Sequence, residues 1–236
     1  ADDNVFIGYQ AAFSNGNGDD SVIIGSGAGK ESAHFDKCVA IGKGAMQETG
    51  VLMSQNVAIG WEALKNAESG SGDEGNNNVA VGTSALATNT TGSASTAVGY
   101  GALTSQTTPG VNSAFGNLAG TALTTATDNT LVGYQAGVSN LTGDDNTFIG
   151  DNAGYYVTAA QNTALGSGAN TASGAPAAYT NTTCLGYAVN PTAANQVRLG
   201  NASVSSLHCQ VALTVDSDER VKKNIKASSL GLSFLN

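Results

Sequence analysis

Paired carboxylates stand at Asp2–Asp3, Asp19–Asp20 and Asp144–Asp145, each just ahead of a short apolar run. Hard oxygen ligands of this kind suit Ca²⁺. Yet the segments ADDN, GDDS and GDDN lack the spacing of a calcium loop, and Asp in a tight turn hydrogen-bonds its own backbone without any metal. The sequence therefore points to no cofactor and no metal centre, leaving only a loop cation or one on a symmetry axis as an open alternative. Two carboxylates about 5–10 Å apart would also serve a glycosidase, but nothing in the spacing selects a pair. His34 lies four before Cys38; two further zinc ligands are not evident, so it reads as a loop histidine. Aromatic rings offer a different chemistry, stacking on the apolar face of a sugar. Tyr9, Trp61, Tyr100, Tyr134 and Tyr187 are too irregularly spaced for a continuous stripe and read as corner or inter-chain packing. The adjacent Tyr155 and Tyr156, in an outer turn, are the better candidates for receptor contact.

These residues are positioned by a repeat. A glycine preceded by a short apolar run recurs at Gly8, Gly25, Gly42, Gly60, Gly82, Gly99, Gly116, Gly133, Gly150, Gly166, Gly186 and Gly200. The residue before it is always apolar, from Ile7 to Leu199, and Ala follows three after it from Ala11 to Ala169. The unit is N-[VT]-[AF]-[IV]-G-x-x-A, as in NVAIGWEA (56–63) and NTFIGDNA (146–153). Each unit predicts one short β-branched strand, ended by Gly and joined to the next by a Gly/Asn/Thr/Asp-rich turn. One unit cannot bury its own apolar side chains, so units must stack as coils of a parallel β-solenoid or β-roll. Twelve coils at about 4.7 Å per strand make a rod about 55 Å long. Its core is thin, and association of several chains would supply further burial.

Composition excludes other classes. Of 236 residues, 41% are hydrophobic and 11% charged, with 31 Gly and 3 Pro, which argues against acidic disorder and against collagen. No apolar run is long enough for a membrane span, and no signal peptide is visible at the start. The net charge is −9, with no Lys or Arg between Lys65 and Arg198, so a nucleic-acid partner is not expected. Three cysteines are not a disulfide framework. Cys38 and Cys184 fall eight coils apart, far beyond bridging distance, and read as core fillers.

The repeated NVAIG-x-x-A unit over residues 4–200 resembles the head repeats of trimeric autotransporter adhesins and related haemagglutinins, although the period here is longer. The resemblance implies a homotrimer of left-handed parallel β-rolls that presents a surface for attachment.

After Gly200 the pattern changes. Leu207, Cys209, Val211, Leu213 and Val215 alternate with more polar residues, which predicts a half-buried strand. The following SDERVKKNI (217–225) predicts a helix start, with Ser217 as N-cap and Asp218 and Glu219 in the first turn. This stretch resembles the opening of the self-cleaving intramolecular chaperone at the C-terminus of phage tail spikes, tail fibres and endosialidases. That resemblance implies Ser217 as nucleophile, Lys222 as its base and the Ser217–Asp218 bond as the scissile one, an amine activating a hydroxyl. Only 19 residues follow Ser217, so the chaperone reads as truncated and self-cleavage of this chain is not expected. The expected organisation is a β-roll body over 1–200, a strand connector over 201–216 and the chaperone start over 217–236.

The expectation for function is a structural and receptor-binding segment of a trimeric phage or phage-like tail fibre. It would be extracellular, on the virion, without enzymatic activity in its body. Its partners would be copies of itself and a host-surface glycan or protein, with no membrane insertion. The long inter-strand loops 64–77 and 170–181 are where contact is expected, since insertions in solenoids map to outer turns. A tail-spike depolymerase and a bacterial trimeric adhesin are the alternatives.

Overall fold

A computed structural model describes residues 3–48, 53–67, 75–108, 110–170, 179–208 and 210. The chain divides into two units, Ala1–Ser203 and Val204–Asn236. Among the described residues there are fourteen strands and no helix. Twelve of them form one parallel sheet: β1 (Val5–Ile7), β2 (Val22–Ile24), β4 (Val39–Ile41), β6 (Val57–Ile59), β7 (Val79–Val81), β8 (Thr96–Val98), β9 (Ser113–Phe115), β10 (Thr130–Val132), β11 (Thr147–Ile149), β12 (Thr163–Leu165), β13 (Thr182–Leu185) and β14 (Gln196–Leu199). Each strand pairs with the next in the same register, so the residue before each repeat glycine stands beside its counterpart one coil on, as in Ile7 beside Ile24 and Ile149 beside Leu165. The expected parallel β-solenoid is thus the fold, one strand per repeat. Two short strands not anticipated from the pattern, β3 (Phe35–Asp36) and β5 (Met53–Ser54), pair as a second small parallel sheet.

The repeat glycine is required twice over. At Gly8 the backbone has φ of +136°, a region closed to residues with a side chain. A β-carbon there would also lie 2.5 Å from the carbonyl oxygen of Gly25 in the next coil. The chain then turns through left-handed positions, two and four residues after the glycine, occupied for example by Glu62 and Leu64. The alanine between them is fully buried, as at Ala63 and Ala85. Its carbonyl takes a hydrogen bond from the neighbouring coil, Leu64 N–H donating to Ala85 O at 2.9 Å. Coils are therefore joined along the corner as well as along the strands.

A second ladder runs inside. Where the residue four before the glycine is Asn or Ser, from Asn4 to Asn162, its side chain accepts a hydrogen bond from the backbone N–H at the same place in the next coil. Asn78 N–H donates to Asn56 Oδ1 at 2.8 Å, Asn146 N–H to Asn129 Oδ1 at 3.0 Å, and Asn162 N–H to Asn146 Oδ1 at 2.9 Å. Where Ser21 replaces Asn, its Oγ accepts from Cys38 N–H at 3.0 Å. Such side chains satisfy buried backbone donors that a turn would otherwise strand. The middle residue of the three-residue strands from β2 to β12 also points inward; Ile23, Ala40, Ala58, Leu131 and Phe148 are fully buried.

Cys38 and Cys184 are buried and unbridged, which matches the reading of both as core fillers. Burial pushes the Cys38 thiol up to about 11 and also raises that of Cys184. The left-handed turn residues explain the acidic pairs: Asp3, Asp20 and Asp145 each adopt φ near +57°, a conformation that Asp and Asn tolerate better than most residues. In the second unit, Leu207 and His208 lie in no strand, so the expected 207–215 strand does not begin at its expected start. Gln210 lies at a bend, and Cys209 and residues 211–236, Ser217 and Lys222 among them, lie outside the described residues.

Candidate functional site

A three-residue strand with its middle side chain inside must send the flanking two outward. The outward residue next to the repeat glycine is Ile, Val, Phe or Leu in all twelve strands of the large sheet. The other outward residue is Val in β1, β2, β4, β6 and β7, then Thr or Ser from β8 to β13, and Val197 in β14. Neither position carries a charge in any of the twelve. The result is an unbroken apolar ladder on the outside of the solenoid. Its members are half-buried by their neighbours at best: Ile7 is 57% exposed, Leu165 47% and Leu199 50%. Parallel sheets are ordinarily covered on both faces, and a continuous apolar surface of this extent marks an interaction site.

Beside this ladder, one residue beyond the glycine, stand the aromatics Tyr9, Trp61, Tyr100, Tyr134 and Tyr187, all exposed.

Tyr155 and Tyr156 lie in the turn after β11. Their rings meet edge to face, with centroids 4.5 Å apart and planes inclined at 62°. Tyr155 is half-buried and Tyr156 is 43% exposed. Together with Asn152 of the same turn and Gly168 of the following coil they line an open depression of about 310 Å³. Asn152 N–H donates to Tyr134 O, and Gly168 N–H donates to Asp151 O, both at 2.8 Å. The backbone of each of these two lining residues is therefore tied to the coil before it. The Asn152 amide nitrogen donates to Asp151 Oδ1 at 2.8 Å, while Asn152 Oδ1 is buried without a hydrogen-bond partner.

Asn152 and Gly168 were not singled out in the sequence. They hold the same place in successive coils, two after Gly150 and two after Gly166, but only stacking brings them together with the tyrosine pair. Of the expected contact loops, residues 68–74 and 171–178 lie outside the described residues. Among the described residues no cluster of three or more His, Cys, Asp or Glu is placed to hold a metal ion. Comparison with protein-family models, with curated proteins and with solved structures returns no match.

Proposed function

We propose that the chain is the shaft-and-contact segment of a trimeric phage or phage-like tail fibre, which attaches to a host cell surface. The observation that carries the reading is the charge-free apolar ladder along all twelve strands of the large sheet. Its length, uniform register and position on one face suit side-by-side association of solenoids sharing one axis, each ladder covering the others. Three copies are what the resemblance of the repeat to trimeric adhesin heads implies. A fibre of this kind bears load along the stacked backbone hydrogen bonds and presents its turns outward. The SDERVKKNI segment supports the phage reading through its resemblance to the self-cleaving chaperone, in which Ser217 would attack and Lys222 would accept its proton.

Fluorescently labelled chain applied to a panel of bacteria tests the attachment role. Binding to a subset of strains, lost when loops 64–77 and 170–181 are both replaced by short turns, is the expected result. Binding that survives both replacements would remove the loops from the account. Release of new reducing ends from the polysaccharide of a bound strain would replace attachment with the depolymerase reading.

A further inference from the structure

We infer that copies of the chain pack parallel and level with one another, the row of residues after the repeat glycine in one copy lying against the row ahead of the strands in its neighbour. The inference rests on the side-by-side association read from the ladder and specifies its orientation and its seam. Every pairing in the large sheet is parallel, so all twelve strands enter the ladder on one side and leave it on the other. On the entry side stands the residue five before the repeat glycine, exposed in all twelve coils from Asp3 to Asn195. On the exit side stands the residue after that glycine, exposed or half-buried from Tyr9 to Asn201. Rotation about an axis parallel to the solenoid turns the ladders towards each other. It also brings the exit row of one copy to the entry row of the next at the same coil, a head-to-tail contact that closes into a ring. A two-fold axis across the solenoid would instead set like rows together.

The two rows match in chemistry coil by coil. Four exit residues carry a ring with a hydrogen-bond donor, and each stands level with an entry residue that has a side-chain oxygen to accept: Tyr9 with Asp3, Trp61 with Gln55, Tyr134 with Asp128 and Tyr187 with Asn181. The fifth aromatic, Tyr100, is level with Ala94 and next to Val111, the two apolar residues of the entry row. Val111 is 59% exposed, and a ring from a neighbouring copy would cover it. Charge matches as well. Lys43 of the exit row is level with Asp36 and Lys37, which are paired at 3.0 Å, and Asp20 and Asp19 of the coil before add their charge to that pair. Three carboxylates against one ammonium leave a negative surface for Lys43 to meet. At coil nine the rows set like charges level, Asp151 against Asp145, a repulsion at the rim that salt screens.

Cysteine cross-linking in the 236-residue chain tests this, with Cys209 changed to Ser and with Cys38 and Cys184 already buried. Val111→Cys with Asn117→Cys places one thiol in each row of the same coil, with β9 between them. Within one chain, six residues of extended backbone keep the two about 20 Å apart, beyond bridging distance, so a link joins different copies. A short bis-maleimide is expected to move most of the chain to bands of two and three chains on a denaturing gel. Gln55→Cys with Trp61→Cys repeats the test in another coil. Val111→Cys with Ser26→Cys, in coils five apart, should stay unlinked. The inference is overturned if neither same-coil pair links, or if the distant pair links as well as they do. Native mass separates the two levels. Threefold mass without a same-coil link sinks the seam alone, whereas the mass of a single chain sinks the association and the seam with it.

Discussion

The ring of Phe148, at the middle of β11, occupies the space that a side chain at Gly154 would need: a β-carbon built on Gly154 overlaps Phe148 Cδ2. The same exchange recurs in several other coils. Phe35 and Ile23 both face Gly29, and Leu131 faces Gly137. Where the strand centre is the small Ala40, Ala58, Ala80 or Ala97, the residue six further on is Met46, Leu64, Leu86 or Leu103, and all of these are fully buried. In these coils one large residue, taken either from the strand or from the turn, fills the interior position, whereas Ala114 with Gly120 and Ala164 with Asn170 depart from the exchange.

Gly154→Leu alone should therefore cost about 2–4 kcal/mol, combining a left-handed backbone with an overpacked ring. Phe148→Ala alone should cost about 3–5 kcal/mol through the cavity it leaves. The double change Phe148→Ala with Gly154→Leu reproduces the Ala80/Leu86 arrangement. It should be more stable than either single variant, and urea denaturation of the set measures the coupling. Additive losses would show that the exchange of volume is not what holds the coil.

Asn129 links three coils: its N–H donates to Asn112 Oδ1 at 3.0 Å, while its own Oδ1 accepts from Asn146 N–H at 3.0 Å. Asn129→Ala strands that buried donor and should cost about 1–3 kcal/mol. Asn129→Ser should cost less, because Ser21 performs the same acceptance in an earlier coil. Hydrogen exchange at Asn146 N–H reports the loss directly, and unchanged protection in the Ala variant would contradict the ladder.

Cys38 supplies a pH signature. Burial raises its thiol from 9.0 to about 11, so above about pH 9 the unfolded chain ionises this thiol while the folded chain does not. The stabilisation is fully present below pH 9 and is lost as pH climbs towards 11, to a total of about 2–3 kcal/mol at one unit per ~1.4 kcal/mol. Cys38→Ala should lack this part of the alkaline slope. In the native protein at pH 8, iodoacetamide should leave Cys38 unmodified by peptide mass mapping; rapid modification would contradict its burial.

The repeat made most of the body legible. Ile or Val before Gly, and Ala three after it, place each strand and corner of the large sheet, because a fold with one supersecondary unit per period repeats its sterics with its residues. The facing of side chains was less accessible. NVAIG counts as an apolar run, and only a three-residue strand with Ala58 inside shows that Val57 and Ile59 look outward. The exchange of Phe148 with Gly154 stayed hidden because a binary apolar pattern ignores volume. The inward Asn ladder stayed hidden because Asn ahead of a strand also reads as ordinary turn chemistry. The open depression was half visible: Tyr155 and Tyr156 stand together in the chain, whereas Gly168 reaches them only through the stacking of coils.

The ladder from Ile7 to Leu199 makes the central claim testable by one measurement, the native mass of the purified chain by light scattering on a sizing column. The account expects about three times 23.4 kDa, persisting on dilution. It also expects a shift to lower mass when Ile41 and Val98 on the outward face are both changed to Asp, since charges would then have to be buried between copies. A stable monomer with the ladder intact would contradict it.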